Sequence, residues 1–178
     1  RLPHQSIATL ELLVDTCLAQ GALTRAQGYL HTLSRTSVDA DTDYVVIMRK
    51  AASVRVAWAL RDKDLVTDIE SGTFVSHQTA IPILEHQLIA HEVALSTMRG
   101  DNEPASALSP RLMHFHLRSR SMGRQDFSSD VLFTHLRSCG HTESASALEA
   151  EYFSRYRREQ NEPVTLSGAA SPATPRIH

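Results

Sequence analysis

Histidine, cysteine and arginine are the residue types here whose spacing could do chemistry. Ten histidines are present among 178 residues, enough to raise the question of a metal. His114 and His116 stand two apart, Cys139 and His141 likewise, and His135 precedes Cys139 by one helical turn. On a helix, residues two apart point to nearly opposite faces, so His114 and His116 cannot share one ion, and no zinc-ligand spacing is met. His91 and Glu92 open like a zinc-protease helix, but Leu95 stands where the second histidine is required, and the motif fails. A nearby imidazole at His135 or His141 could activate Cys139 as a nucleophile. The simpler reading makes Cys139 a small residue at a helix end before a Gly140 turn. Glu149 and Glu151 are explained by a charged helix face. Phosphate-binding glycine loops, nucleophile elbows and Cys-x-x-Cys pairs are missing from the sequence. The expectation is therefore a non-enzyme without catalytic residues, metal or cofactor.

One charged stretch stands out. Arg111, Arg118, Arg120 and Arg124, with His114 and His116 among them, lie between Glu103 and Asp126 without an intervening acid. Arginine forks in such a run can hold a carboxylate or phosphate bidentately. The alternative is a solvated helix face.

The whole chain carries little net charge. Eighteen basic against twenty acidic residues give −2, so no global field draws it to nucleic acid or an anionic membrane. Hydrophobic residues at 42% and charged residues at 21% describe a globular chain rather than a disordered one. Cys17 and Cys139 are far apart and in helical contexts, which suits a reducing compartment. No apolar run of transmembrane length and no signal-peptide pattern occurs. An intracellular location, cytoplasmic or nuclear, is expected, and the chain is expected to belong to a larger protein.

Apolar spacing predicts the elements that would position these groups. Leu10, Leu13, Val14, Cys17 and Leu18 mark an amphipathic helix from about Ser6, its N-cap, to Gln20, stopped by Gly21. Thr24 is placed to cap a second helix carrying Leu23, Ala26, Leu30 and Leu33 to about Ser34. The short connection makes the pair antiparallel. A third helix is predicted from about Thr42 to Leu60, with Ala51, Val54 and Trp58 on one face. A short helix with Leu65, Val66 and Ile69 follows, cut at Gly72. A long helix is predicted from Ile81, with Pro82 in its first turn, to Met98, its Glu85 and His86 on the wet side. Asp101–Ser109 reads as a loop, Pro110 to Gly123 as a helix with Leu112, Phe115 and Leu117, and Asp126 to Glu159 as a final hairpin. Residues 161–178, rich in Pro, Ser, Thr, Gly and Ala, read as a disordered tail or linker.

With these residues in view, the chain resembles the tetratricopeptide repeat. Leu10, Leu13, Cys17, Gly21, Ala26, Leu30 and Leu33 fall at the spacing of the repeat's small and large positions, over about 34 residues. Ala51, Val54 and Trp58 repeat the spacing of Leu10, Leu13 and Cys17. Leu132, Leu136, Gly140 and Ala145 do so again in the last hairpin. Leu10 replaces the usual Trp, Val14 a small residue, Leu33 an Ala and Val38 a Pro, and Glu149 stands where an aromatic is expected. The resemblance implies an all-α fold over residues 1–160: stacked antiparallel hairpins forming a right-handed solenoid of about seven or eight helices with an irregular middle.

It also implies a protein-protein interaction scaffold or adaptor that holds a peptide or helix of another subunit. On the concave face of first helices, Glu11, Asp15, Lys50 and Arg55 are expected near the groove. Two alternatives remain: a ligand- or peptide-sensing domain of a transcription regulator, and a helical metal protein or enzyme using the histidines.

Overall fold

The computed structural model describes residues 3–36, 43–77, 85–118 and 127–161. Among them are seven α-helices and no strand: α1 (Pro3–Ala19), α2 (Leu23–Arg35), α3 (Asp43–Leu60), α4 (Glu85–Arg99), α5 (Asn102–Arg118), α6 (Phe127–Ser138) and α7 (Thr142–Asn161). No helix of the described residues is long and apolar enough to cross a membrane.

The α1–α2 hairpin forms as its spacing predicts. Val14, Cys17, Ala26, Leu30 and Leu33 are buried in one apolar cluster. Ala26 is fully buried, so the methyl side chain is what lets α2 approach α1. Gly21 acts differently. A Cβ there would meet nothing within 4 Å, but the residue has φ +69°, a conformation costly for residues with a side chain. In that conformation Gly21 N–H donates to Leu18 O at 3.1 Å and Ala22 N–H to Cys17 O at 2.8 Å, which satisfies two carbonyls at the end of α1. The helix starts differ from expectation. α1 begins at Pro3, so Ser6 lies inside it, and Ala22 rather than Thr24 precedes α2, with no side-chain cap.

α3 is buried on most of its circumference. Val45, Ala52 and Val56 join the α1–α2 cluster, while Ile47, Ala51, Val54, Ala57 and Trp58 belong to a second, larger cluster with α4 to α7. With apolar residues on both of these sides, α3 lies between the two clusters. α3 ends with the same pair of backbone bonds as α1, with Arg61 at φ 56° in place of glycine.

The helix expected around Leu65 to Ile69 does not form. Two 3₁₀ turns, Lys63–Val66 and Val75–His77, take its place. Asp62 accepts from Asp64 N–H, and aspartates bonding to nearby backbone favour turns over helices. Val66, Ile69 and Phe74 are nevertheless buried, and α4 ties the segment down with two side chains. Glu92 accepts from Gly72 N–H at 2.7 Å and Phe74 N–H at 3.1 Å. Arg99 donates to Val66 O at 2.7 Å and to Ile69 O.

α4 starts, as described, at Glu85; Ile81 and Pro82 lie outside the described residues. Every residue from Leu88 to Ser96 is buried, because α3, α5 and α6 all pack on it. The loop expected at Asp101–Ser109 is instead the first half of α5, with Pro110 inside the helix. Pro110 has no N–H for the Ser106 carbonyl four residues earlier. Ser109 Oγ donates to that carbonyl at 3.2 Å, which gives it a partner. In the last hairpin Leu132, Leu136 and Ala145 are buried. Glu149, standing where the resemblance led to the expectation of an aromatic, makes an ion pair with Arg137. Leu117 and Arg118 end α5 with undescribed side chains; of the tail expected at 161–178, Asn161 is instead the last residue of α7, and the remainder, like Gly123, lies outside the described residues.

Candidate functional site

α1 packs on α2 and α3, α3 on α4, and α4 on α5 and α6. Residues of α1, α3, α4 and α6 together line a cleft of about 580 Å³. Each helix contributes side chains one turn apart. Asp15 and Leu18 are three apart on α1, Arg55 and Trp58 three apart on α3, Gln87 and His91 four apart on α4, and Phe127 and Asp130 three apart on α6. Such spacing puts each pair on one helix face.

Arg55 is the hub of the cleft wall. Its Nη2 donates to Glu11 Oε1 at 3.0 Å and its Nη1 to His91 Nε2 at 3.1 Å, while its Nε lies 2.8 Å from Asp15 Oδ1. A guanidinium offers only donors, so His91 Nε2 must accept. His91 Nδ1 then carries the proton and donates to Gln87 O at 2.5 Å. Burial, reinforced by the Arg55 charge, lowers the His91 pKa to about 3, which keeps the imidazole neutral over ordinary pH. Glu11 is shifted in the opposite sense for a carboxylate: burial raises its pKa, and the Arg55 charge offsets part of the rise.

Aromatic groups continue the wall. Phe127 stacks tilted on His91 at 4.8 Å between ring centroids and meets Trp58 edge-on at 6.3 Å. Trp58 Nε1 donates to Asp130 Oδ2 at 2.6 Å. Asp130 lies in the first turn of α6, where the helix dipole favours a carboxylate. Leu18, Ala19 and Ala59 add apolar surface, and His86 and Ser128 polar surface. His86, expected on the wet side of α4, is half-buried and lines the cleft.

Of the groove residues named from the sequence, Asp15 and Arg55 line the cleft and Glu11 holds Arg55 from behind. Lys50 is half-buried on α3 and does not line it. Of the arginines in the basic stretch, Arg111 alone has a described side chain. Arg111 makes an ion pair with Glu85, the Arg118 side chain is not described, and Arg120 and Arg124 lie outside the described residues. His114 is exposed, whereas His116 stacks on Tyr152 at 5.2 Å and shares a 3.0 Å hydrogen bond with Ser129. The two imidazoles are thus in different surroundings.

Cys139 Sγ lies 3.6 Å from His135 Nε2 and 3.9 Å from Ser106 Oγ. His135 is buried, which lowers its pKa, with His141 adding to the effect. Among the described residues no three histidine, cysteine or acidic side chains gather as a metal-ligand group.

Trp58, His91, Phe127 and Asp130 were not legible as site residues. Trp58 reads as a packing position, and His91 as part of a failed motif. A polar His91-Glu92 pair inside the apolar run Leu88 to Leu95 is the one signal that these side chains need buried partners. No family model, curated protein sequence or solved structure matches this chain.

Proposed function

We propose that this chain is a protein-binding scaffold, a tetratricopeptide-like stack of helical hairpins that offers its cleft to a peptide or helix of another subunit. The observation that carries the reading is the cleft itself, lined by α1, α3, α4 and α6, the helices that take the place of first helices in such a stack. Its apolar surface from Leu18, Ala19, Ala59 and Phe127, with a few fixed polar groups, has the character of a recognition groove. The rigid Arg55 hub supports the same reading, because pre-ordered walls reduce the entropy lost on binding. An irregular segment, 61–77, replaces one second helix of the stack and is held in place by Glu92 and Arg99.

Panning a random peptide display library on the immobilised chain tests this. Ala59 is exposed and lines the cleft, so Ala59→Trp fills it without disturbing the core. The expected result is an enriched peptide set whose affinity falls at least about tenfold on Ala59→Trp, with unchanged helicity. Peptides that bind the variant as well as the parent chain, or no enrichment at all, would remove the cleft as a peptide groove.

A further inference from the structure

The charges around the cleft are unbalanced in one direction. Among the described residues, Asp15 and Asp130 line it together with a single arginine, Arg55, and no lysine. That guanidinium is already divided among Glu11, Asp15 and His91. Two carboxylates thus share one guanidinium, Asp130 adds a further acid to the wall through its bond with Trp58, and His91 is neutral. Arg61, the residue that follows α3, has its Cζ 4.9 Å from the Trp58 ring centroid and does not itself line the cleft.

The contacts within the wall use one oxygen of each lining carboxylate, Oδ1 of Asp15 and Oδ2 of Asp130. The Asp15 side chain keeps 47% of its surface exposed. Beside these acids lie Leu18, Ala59 and Phe127, which suit the methylene stem of a long basic side chain. An electron-rich aromatic ring nearby favours a cation further.

We propose that the cleft selects a partner peptide carrying a lysine or arginine, with the charged head at the Asp15 and Asp130 carboxylates and the stem against Leu18, Ala59 and Phe127. A peptide fits better than a small amine. The cleft volume of about 580 Å³ exceeds one basic side chain, and its remaining apolar surface takes the neighbouring residues. This inference rests on the cleft being a peptide groove, and it adds the sign of the charge that the groove recognises.

The test uses short capped peptides of leucine and alanine with a central arginine, lysine, glutamine or glutamate, titrated by fluorescence anisotropy. The chain is compared with its Asp15→Asn and Asp130→Asn variants. Asparagine at 130 still accepts the Trp58 indole N–H, so the wall is retained, and circular dichroism verifies the fold. Arginine and lysine peptides are expected to bind about tenfold tighter than the glutamine peptide. Each variant is expected to remove most of that preference and leave the glutamine peptide unchanged. Equal binding of the glutamine, glutamate and arginine peptides would overturn the charge selection while leaving the peptide groove intact. Binding of no peptide would overturn both readings. Displacement of the arginine peptide by equimolar spermidine would assign the site to small amines and overturn the peptide assignment.

Discussion

At the residue scale, His91 and Glu92 are adjacent and both buried, yet they do different work. Glu92 accepts two backbone N–H groups of the 61–77 segment. Glu92→Leu would leave both donors without their partner, at a cost of roughly 2–4 kcal/mol, read as a lower urea midpoint. His91 supplies a pH dependence. Its folded-state pKa is about 3 against an ordinary 6.5, so below pH 6.5 the unfolded chain binds a proton that the folded chain does not. Stability from this residue is complete above 6.5 and is lost as pH falls toward 3, at up to about 1.4 kcal/mol per pH unit. Buried His135 acts in the same sense. Glu11 acts in the opposite sense, since its raised pKa makes the folded chain the better proton acceptor as pH falls through the carboxylate range. His91→Gln should therefore flatten the slope of unfolding free energy between pH 6.5 and about 5. An unchanged slope by urea titration at each pH would show that His91 is not its source.

At the element scale, helix ends carry much of the specification. α1, α4 and α6 stop at Gly21, Gly100 and Gly140, all with positive φ, whereas α3 stops at Arg61 with φ 56°. A side chain in this conformation costs on the order of 1 kcal/mol, and the contact of Arg61 with Trp58 returns roughly 0.5–1 kcal/mol. Arg61→Ala keeps the strain and loses the contact; Arg61→Gly loses both. The glycine variant should thus be the more stable of the two by about 1 kcal/mol in chemical denaturation. Equal stability would mean that the backbone at 61 is not strained. Pro110 makes a related point. It removes a backbone N–H within α5, and Ser109 Oγ donates to the Ser106 carbonyl left without that partner.

At the scale of the whole molecule, the two apolar clusters meet on α3. Leu33 is buried in the α1–α2 cluster and Trp58, the sole tryptophan, in the other. Because one helix supplies both, neither cluster can lose its packing without exposing α3. Leu33→Ala should therefore cost roughly 2–5 kcal/mol and lower the transition seen by Trp58 fluorescence along with that seen by circular dichroism. Two separated transitions would show that the hairpin unfolds independently of the rest.

Local chemistry was enough to specify the all-helical class, the α1–α2 hairpin and the turns at Gly21 and Gly140, because these depend on residues within a turn or two of one another. Leu65 to Ile69 and Asp101 to Ser109 were misread for the same reason. A short apolar pattern does not reveal that Asp62 starts a turn, nor a proline that its neighbour's hydroxyl replaces the lost bond. The cleft was legible only in part: Asp15 and Arg55 follow from the helix face, but their union with His91, Trp58, Phe127 and Asp130 does not. Those residues come from α1, α3, α4 and α6 and are as far apart in sequence as 15 and 130. Their meeting depends on how four helices pack, and so do the neutrality of His91 and the burial of Glu92, since desolvation is a property of the packed interior.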